Sequence, residues 1–297
     1  MADAAKALPE RARAIDPVGM AALFVGTAII SFSGVLVRFL DVGPLAGAAW
    51  RMSLAVPALA LWSRISAGRR ERRFDVAAYA RPLVLAGLAF AIDVGSFHLS
   101  LTGTNVANAS FIGNVAPILA VIGGALFFRE HPPARVWPAL ALALFGSWVM
   151  AGMLAPSRIG HGDAFALLAA CAYASYLLFI KDARVGLDGA TATMFSAAVS
   201  AVALIVAAVL RGETLIPSSV AGWATVGLLG FVSHAGGQGL TSVAVGRVPV
   251  GLVAVVILAQ PPVSAGLAYA VLGEPMSMLQ IAGGAVILAA VVLARPT

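Results

Sequence analysis

Two glutamates stand at the ends of long apolar runs, Glu130 in GALFFREHPP (124–133) and Glu274 in YAVLGEPMSM (269–278). Each follows a proline by 13 positions, Pro117 before Glu130 and Pro261 before Glu274, so the phrase recurs at an offset of 144. Nearer the start of each half a base closes an apolar run, Arg38 in FSGVLVRF and Lys181 in SYLLFIKD, at an offset of 143. A proline within a helix removes one donor and displaces the carbonyl four residues back. In lipid, bare acceptors are tolerated where they are buried in protein or line a watery cavity. Pro117, and Pro261 with Pro262, are therefore candidate hinges beside a binding site; the alternative is a structural kink.

Polar side chains inside apolar runs sharpen that reading, because an unpaired polar group costs several kcal/mol in hydrocarbon. His234, Gln238 and Thr241 fall at i, i+4 and i+7, on one helix face, with Ser242 beside them. Ser110 and Asn114 make a similar stripe with Pro117, and His98, Tyr173, Tyr176 and Gln260 complete the candidate substrate-binding set. For each, interhelical hydrogen bonding or packing is the competing role. Asp93 is the acidic residue placed deep within a span; it either carries a proton or pairs for structure with Arg51 or His98. Phe97, Phe111, Tyr173 and Tyr176 offer flat apolar walls.

Other chemistries find no support. His98, His131, His161 and His234 lack metal-ligand spacing, and neither a Gly-rich phosphate loop nor a nucleophile elbow occurs. No enzyme, cofactor or metal is expected. A channel would want a continuous polar pore, whereas two different halves with broken helices favour a carrier.

The elements that hold these residues are membrane helices. The chain is 61% hydrophobic and 11% charged, against about a quarter charged in soluble domains. Crossings of about 20 apolar residues are expected near 17–39, 43–62, 82–101, 104–128, 135–153, 163–181, 188–210, 218–243, 248–272 and 275–294. The first run is too long for a signal-peptide core and stays as a helix. Cys171 has no partner and reads as a small packing residue. Trp50, Trp62, Trp137, Trp148 and Trp223 fall near span ends, at the interfacial belt.

With the N-terminus inside, 15 of the 19 Lys and Arg fall on the inner side, and Arg38, Arg51, Arg158 and Arg211 on the outer. Both termini are then cytoplasmic. The basic cluster Arg64–Arg73 anchors the chain on anionic lipid and is not a nucleic-acid surface. The expected fold class is an all-α membrane protein, ten transmembrane helices as two inverted five-helix repeats. A cytoplasmic tail (1–16) precedes one repeat at 17–153 and the other at 163–294. Because five is odd, the second copy inverts, which puts Glu130 in the cytoplasm and Glu274 outside.

Inverted repeats meeting at a midplane site are the architecture of secondary transporters. PPVSAGLAYAVLGEPMSMLQIAGGAVILAAVVLA and APILAVIGGALFFREHPPARVWPALALALFGSWVMAG each resemble the end of a half in the drug/metabolite transporter superfamily, in its ten-helix EamA-type form. Arg129 stands where that family prefers Gly, and PLAGAAWR (44–51) resembles its second helix with a single Arg. Tyr173 stands where the family often has an aromatic residue. The resemblance implies a carrier of the bacterial inner membrane moving small metabolites outward by alternating access, and within the family it points to the branch that exports aromatic amino acids. Other amino acids, purines, polyamines or cationic drugs are the alternative cargo. Partners are the bilayer and the small-molecule substrate, with the oligomeric state left open.

Overall fold

The computed structural model describes residues 16–67, 76–100, 103–104, 106–130, 132–152 and 160–294, with 106–108 as backbone. The N-terminal tail before Asp16, Arg69 to Arg73 of the basic cluster, His131, Arg158 and Arg295 lie outside these residues. Among the described residues the chain is helical throughout, without strands.

The helices are α1 (Pro17–Ser31), α2 (Ser33–Leu36), α3 (Pro44–Ala67), α4 (Ala80–Ser100), α5 (Val106–Gly113), α6 (Ala116–Phe128) and α7 (Val136–Met150). Then come α8 (His161–Ala183), α9 (Gly189–Leu210), α10 (Val220–Gly227), a π-helical stretch Leu228–Gln238, α11 (Gly239–Val245), α12 (Val250–Ile257), α13 (Gln260–Leu272) and α14 (Met278–Leu293). Seven helical runs are long and apolar enough to cross a membrane, with α7 and α14 as shorter apolar helices. The chain is a multi-pass membrane protein.

Local chemistry sets the ends. Asp16 caps α1, accepting from the Val18 and Gly19 N–H groups at 2.9 and 3.2 Å, with Pro17 at the first helical position. Its other oxygen takes Arg247 Nη1 at 2.9 Å, tying α1 to the end of α11. Asp188 caps α9, and Ser277 with Gln280 forms a capping box on α14. The orphan N–H groups of Leu45 and Ala46 at the start of α3 both donate to Glu213 Oε2 at 2.9 Å. Asp41 gathers the hydroxyls and N–H groups of Ser218 and Ser219. The Ser219 hydroxyl contributes most to holding its carboxyl below the usual range.

Val84, Leu88 and Ile92 recur every fourth residue on the outer side of α4, while Ala86 and Phe90 are buried on the inner side. Such a stripe is satisfied in lipid and costly in water. Inside, small residues let helices close up. A Cβ on Gly146 of α7 would come within 2.7 Å of the Gly283 carbonyl of α14, so this crossing requires glycine. The principal pairings are α4 on α8 and α9, α3 on α9 and the π stretch, α7 on α14, α1 on the π stretch and α11, and α6 on α8 and α12.

Two expectations are corrected. The prolines lie near the middle of their spans, Ala109–Phe128 and Val250–Leu272, but not inside an unbroken helix: Pro117 lies in the first turn of α6 and Pro261 and Pro262 in the first turn of α13, where a missing N–H is least costly. The chain has already broken just before them. Val115 N–H donates to Ile112 O and Ala259 N–H to Val256 O, both at 3.0 Å, a tight three-residue turn repeated at an offset of 144. Cys171 is exposed on the outer face of α8, not packed inside. Arg51 sits within α3, inside the expected 43–62 crossing, with its Nε buried and unpartnered. Finally, the eighth span is wound as a π-helix through LLGFVSHAGGQ, which its glycines permit.

Candidate functional site

The broken helices bound a cavity of about 380 Å³, which runs from the α5/α6 break to the connection between α13 and α14. Asn114 and Phe111 reach it from α5 and its end, Ser147 from α7, Pro261 and Ser264 from α13, and Gln280 from α14. Asn114 Nδ2 donates to Ser147 Oγ at 2.9 Å. Arg38 and Glu274, which pair with each other, line the same space. Each proline withholds the donor that the carbonyl four residues back would use, so Gly113, Ile257 and Leu258 lose that partner at the two breaks.

The other polar candidates gather elsewhere. Phe90 packs against Tyr176 at 4.7 Å between ring centroids, against His234 at 5.4 Å and against Tyr173 at 6.4 Å. The two tyrosine rings stack with centroids 6.0 Å apart and planes 19° from parallel. Gln238 Nε2 donates to the Tyr176 hydroxyl at 3.1 Å, and Tyr176, His234 and Gln238 are all buried. His234 Nδ1 and Ser233 Oγ have no partner there. Thr241 turns its hydroxyl back onto the Gly237 carbonyl at 3.1 Å.

Arg51 joins this cluster from α3: it lies within electrostatic reach of Asp93, Tyr173 and Tyr176 without closing onto Asp93 as an ion pair. It also faces His98 across a cavity of about 20 Å³, roomy enough for one water. His98 Nδ1 lies 2.8 Å from the Val94 carbonyl, one turn back on its own helix, and among the described residues no ion pair joins His98 to Asp93. Gln260 sits at the first position of α13, beside the break but not among the residues lining either cavity.

The expected single site is thus two neighbourhoods. Asn114 and Pro261 belong to the open cavity, while Tyr173, Tyr176, His234 and Gln238 form a closed aromatic and polar core with Arg51 and Asp93 nearby. Phe90 at the centre of that core carried no signal in the sequence, where it is one apolar residue among many in α4. Phe111 does line the open cavity, whereas Phe97 packs at 6.3 Å from His98.

Outside the open cavity, Lys181 pairs with Glu130 and lies 5.6 Å over the Phe128 ring. The two glutamates follow matching turns. Arg129 ends α6 with φ 52° and Gly273 ends α13 with φ 68°, both left-handed. After the first of these, Glu130 N–H returns to Gly124 O at 3.2 Å.

The profile of the EamA-like transporter family matches this chain twice, over residues 17–152 and 160–295. An uncharacterized transporter of Archaeoglobus fulgidus is 26% identical over 204 residues, covering 68% of this chain and 72% of that protein. A solved crystal structure superposes with a TM-score of 0.76 at 18% identity, over 93% of this chain and 96% of the other, a likeness of fold. With both halves matched, the chain belongs to the EamA-like transporter family, a membrane transporter within the drug/metabolite transporter superfamily.

Proposed function

We propose that this protein is a secondary carrier of the bacterial inner membrane that exports aromatic or bulky neutral amino acids by alternating access between two inverted five-helix halves. The observation that carries the reading is the pair of helix breaks, at Val115 and Ala259, flanking a cavity of about 380 Å³. Such discontinuous helices, one from each half, place unpaired backbone groups where a ligand can use them. The packing also supports two-fold halves: α4 on α8 answers α1 on the π stretch and α11, and α6 on α8 answers α13 on α1. Pro117, Pro261 and Pro262 act as hinges.

In this reading Asn114 and Gln260 serve the ligand's polar end beside the breaks. Tyr173, Tyr176, His234 and Gln238, with His98 at the margin, form the inner part that opens in the alternate state. Flat rings there suit an aromatic side chain. Arg51 and Asp93 form either a coupling pair or a structural one. The bias of Lys and Arg supports a reading with both termini and Glu130 in the cytoplasm and Glu274 outside, in which the cavity opens outward.

Counterflow in proteoliposomes tests the function. Labelled Phe, Trp and Met should exchange and inhibit one another, and substrate on the far side should accelerate flux, as a carrier requires. Flux of purines, polyamines or cationic drugs with no amino-acid flux replaces this reading with broad efflux; flux without counterflow points to a channel.

A further inference from the structure

We propose that Arg38 and Glu274 are the charge-reading pair of the large cavity and that its ligand is a zwitterion with a carboxylate and an ammonium a few bonds apart. The claim rests on the carrier reading above and names the residues that select its cargo.

Arg38 and Glu274 are the charged side chains among the described residues that line the cavity, and they compensate each other. The remaining polar lining is neutral: Ser110, Asn114, Ser147, Ser264 and Gln280. A ligand bearing one net charge leaves either the guanidinium or the carboxylate without its partner. A zwitterion replaces both partners at once, its carboxylate on Arg38 and its ammonium on Glu274. The guanidinium fork is well matched to a carboxylate.

Exposure decides that this pair is the one to open. Its side chains are 52% and 47% exposed, whereas those of Lys181 and Glu130 are 14% and 28% exposed. An exposed pair holds itself together weakly, so a ligand displaces it at little cost. Lys181 and Glu130 are screened less and line neither cavity. The volume, about 380 Å³, lies within the range of small-ligand sites.

The experiment competes four probes against labelled Phe counterflow in proteoliposomes: unlabelled Phe, its amide, phenethylamine and 3-phenylpropionate. Wild-type protein should prefer Phe to each of the others by about tenfold or more, the scale of one charged contact. Arg38→Gln should collapse the preference over phenethylamine and the amide while keeping that over phenylpropionate. Glu274→Gln should do the converse, and the exchanged pair Arg38→Glu with Glu274→Arg should regain both in part. Each readout is a ratio within one variant, so lower expression does not mimic it. If both single variants keep the wild-type ratios, the pair reading is overturned and the carrier reading stands. If wild-type protein shows no Phe counterflow but moves purines or polyamines, the amino-acid reading fails and this inference with it.

Discussion

Lys181 at the end of α8 pairs with Glu130 after α6, and Arg38 pairs with Glu274 after α13, so each half lends its base to the other half's glutamate. The offsets, 143 for the bases and 144 for the acids, make the two pairs counterparts. Neither could form within one half alone. The pairs therefore tie the halves together, and they differ in burial.

That difference predicts unequal losses. Glu130→Gln leaves Lys181 without its counter-charge in a mostly buried place and should cost about 1–3 kcal/mol. Glu274→Gln breaks a half-exposed pair and should cost under about 1 kcal/mol. Thermal unfolding in detergent measures both; equal shifts would contradict the burial argument.

Arg129 supplies a second prediction. An L-residue with φ 52° bears a cost of about 1–2 kcal/mol that Gly273 avoids at the equivalent turn. Arg129→Gly should stabilise by about 0.5–1 kcal/mol after the added freedom of the unfolded chain is counted. Gly273→Ala should destabilise by about 1 kcal/mol. Melting temperatures moving the same way in both variants would remove the account.

Much of this was legible in the sequence, because some residues act through covalent chemistry that no fold can alter. Prolines lack a donor wherever they stand, so Pro117 and Pro261 marked the breaks even though the break falls two residues earlier. Glu130 and Glu274 announced the repeat for the same reason: a charge at the end of an apolar run has few places to go. What remained hidden depends on which spans become neighbours. Phe90, the hub of the aromatic core, looks like any lipid-facing residue until α8 packs on α4 and His234 of the π stretch reaches its ring. The π winding itself shifts faces, so a 3.6-residue period could not divide His234 and Gln238 from Asn114. The exchange of bases between halves is likewise a property of the folded pair.

The buried core gives a third prediction. Tyr176→Phe removes the acceptor of Gln238 Nε2 and leaves that amide buried, at a cost of about 1–3 kcal/mol. Adding Gln238→Leu should recover part of the loss, since both polar groups are then gone. A double variant less stable than Tyr176→Phe alone would show that Gln238 has another essential partner.

The hinge role gives a fourth. Because Pro117 and Pro261 occupy first-turn positions, replacing either with Ala removes little packing and should change stability by less than about 1 kcal/mol. The new N–H can engage the carbonyl four residues back and straighten the break, so exchange should slow. Normal counterflow in both variants, at normal expression, retires the hinges.

The last prediction fixes which way the halves face. Both Pro132, in the connection before α7, and Met276, in the connection before α14, follow their glutamates by two positions. If the second half is inverted, these equivalent sites lie on opposite sides of the membrane, position 132 with the basic cytoplasmic segments and position 276 outside. Cys171 is exposed on α8 and must first be changed to Ser, so that the introduced thiol is the one detected. An impermeant maleimide should then label Met276→Cys in intact cells and leave Pro132→Cys untouched until the membrane is opened. Labelling of both from one side would mean that the halves run parallel; the reverse pattern would keep the inversion but turn the protein over, and the open cavity would then face the cytoplasm.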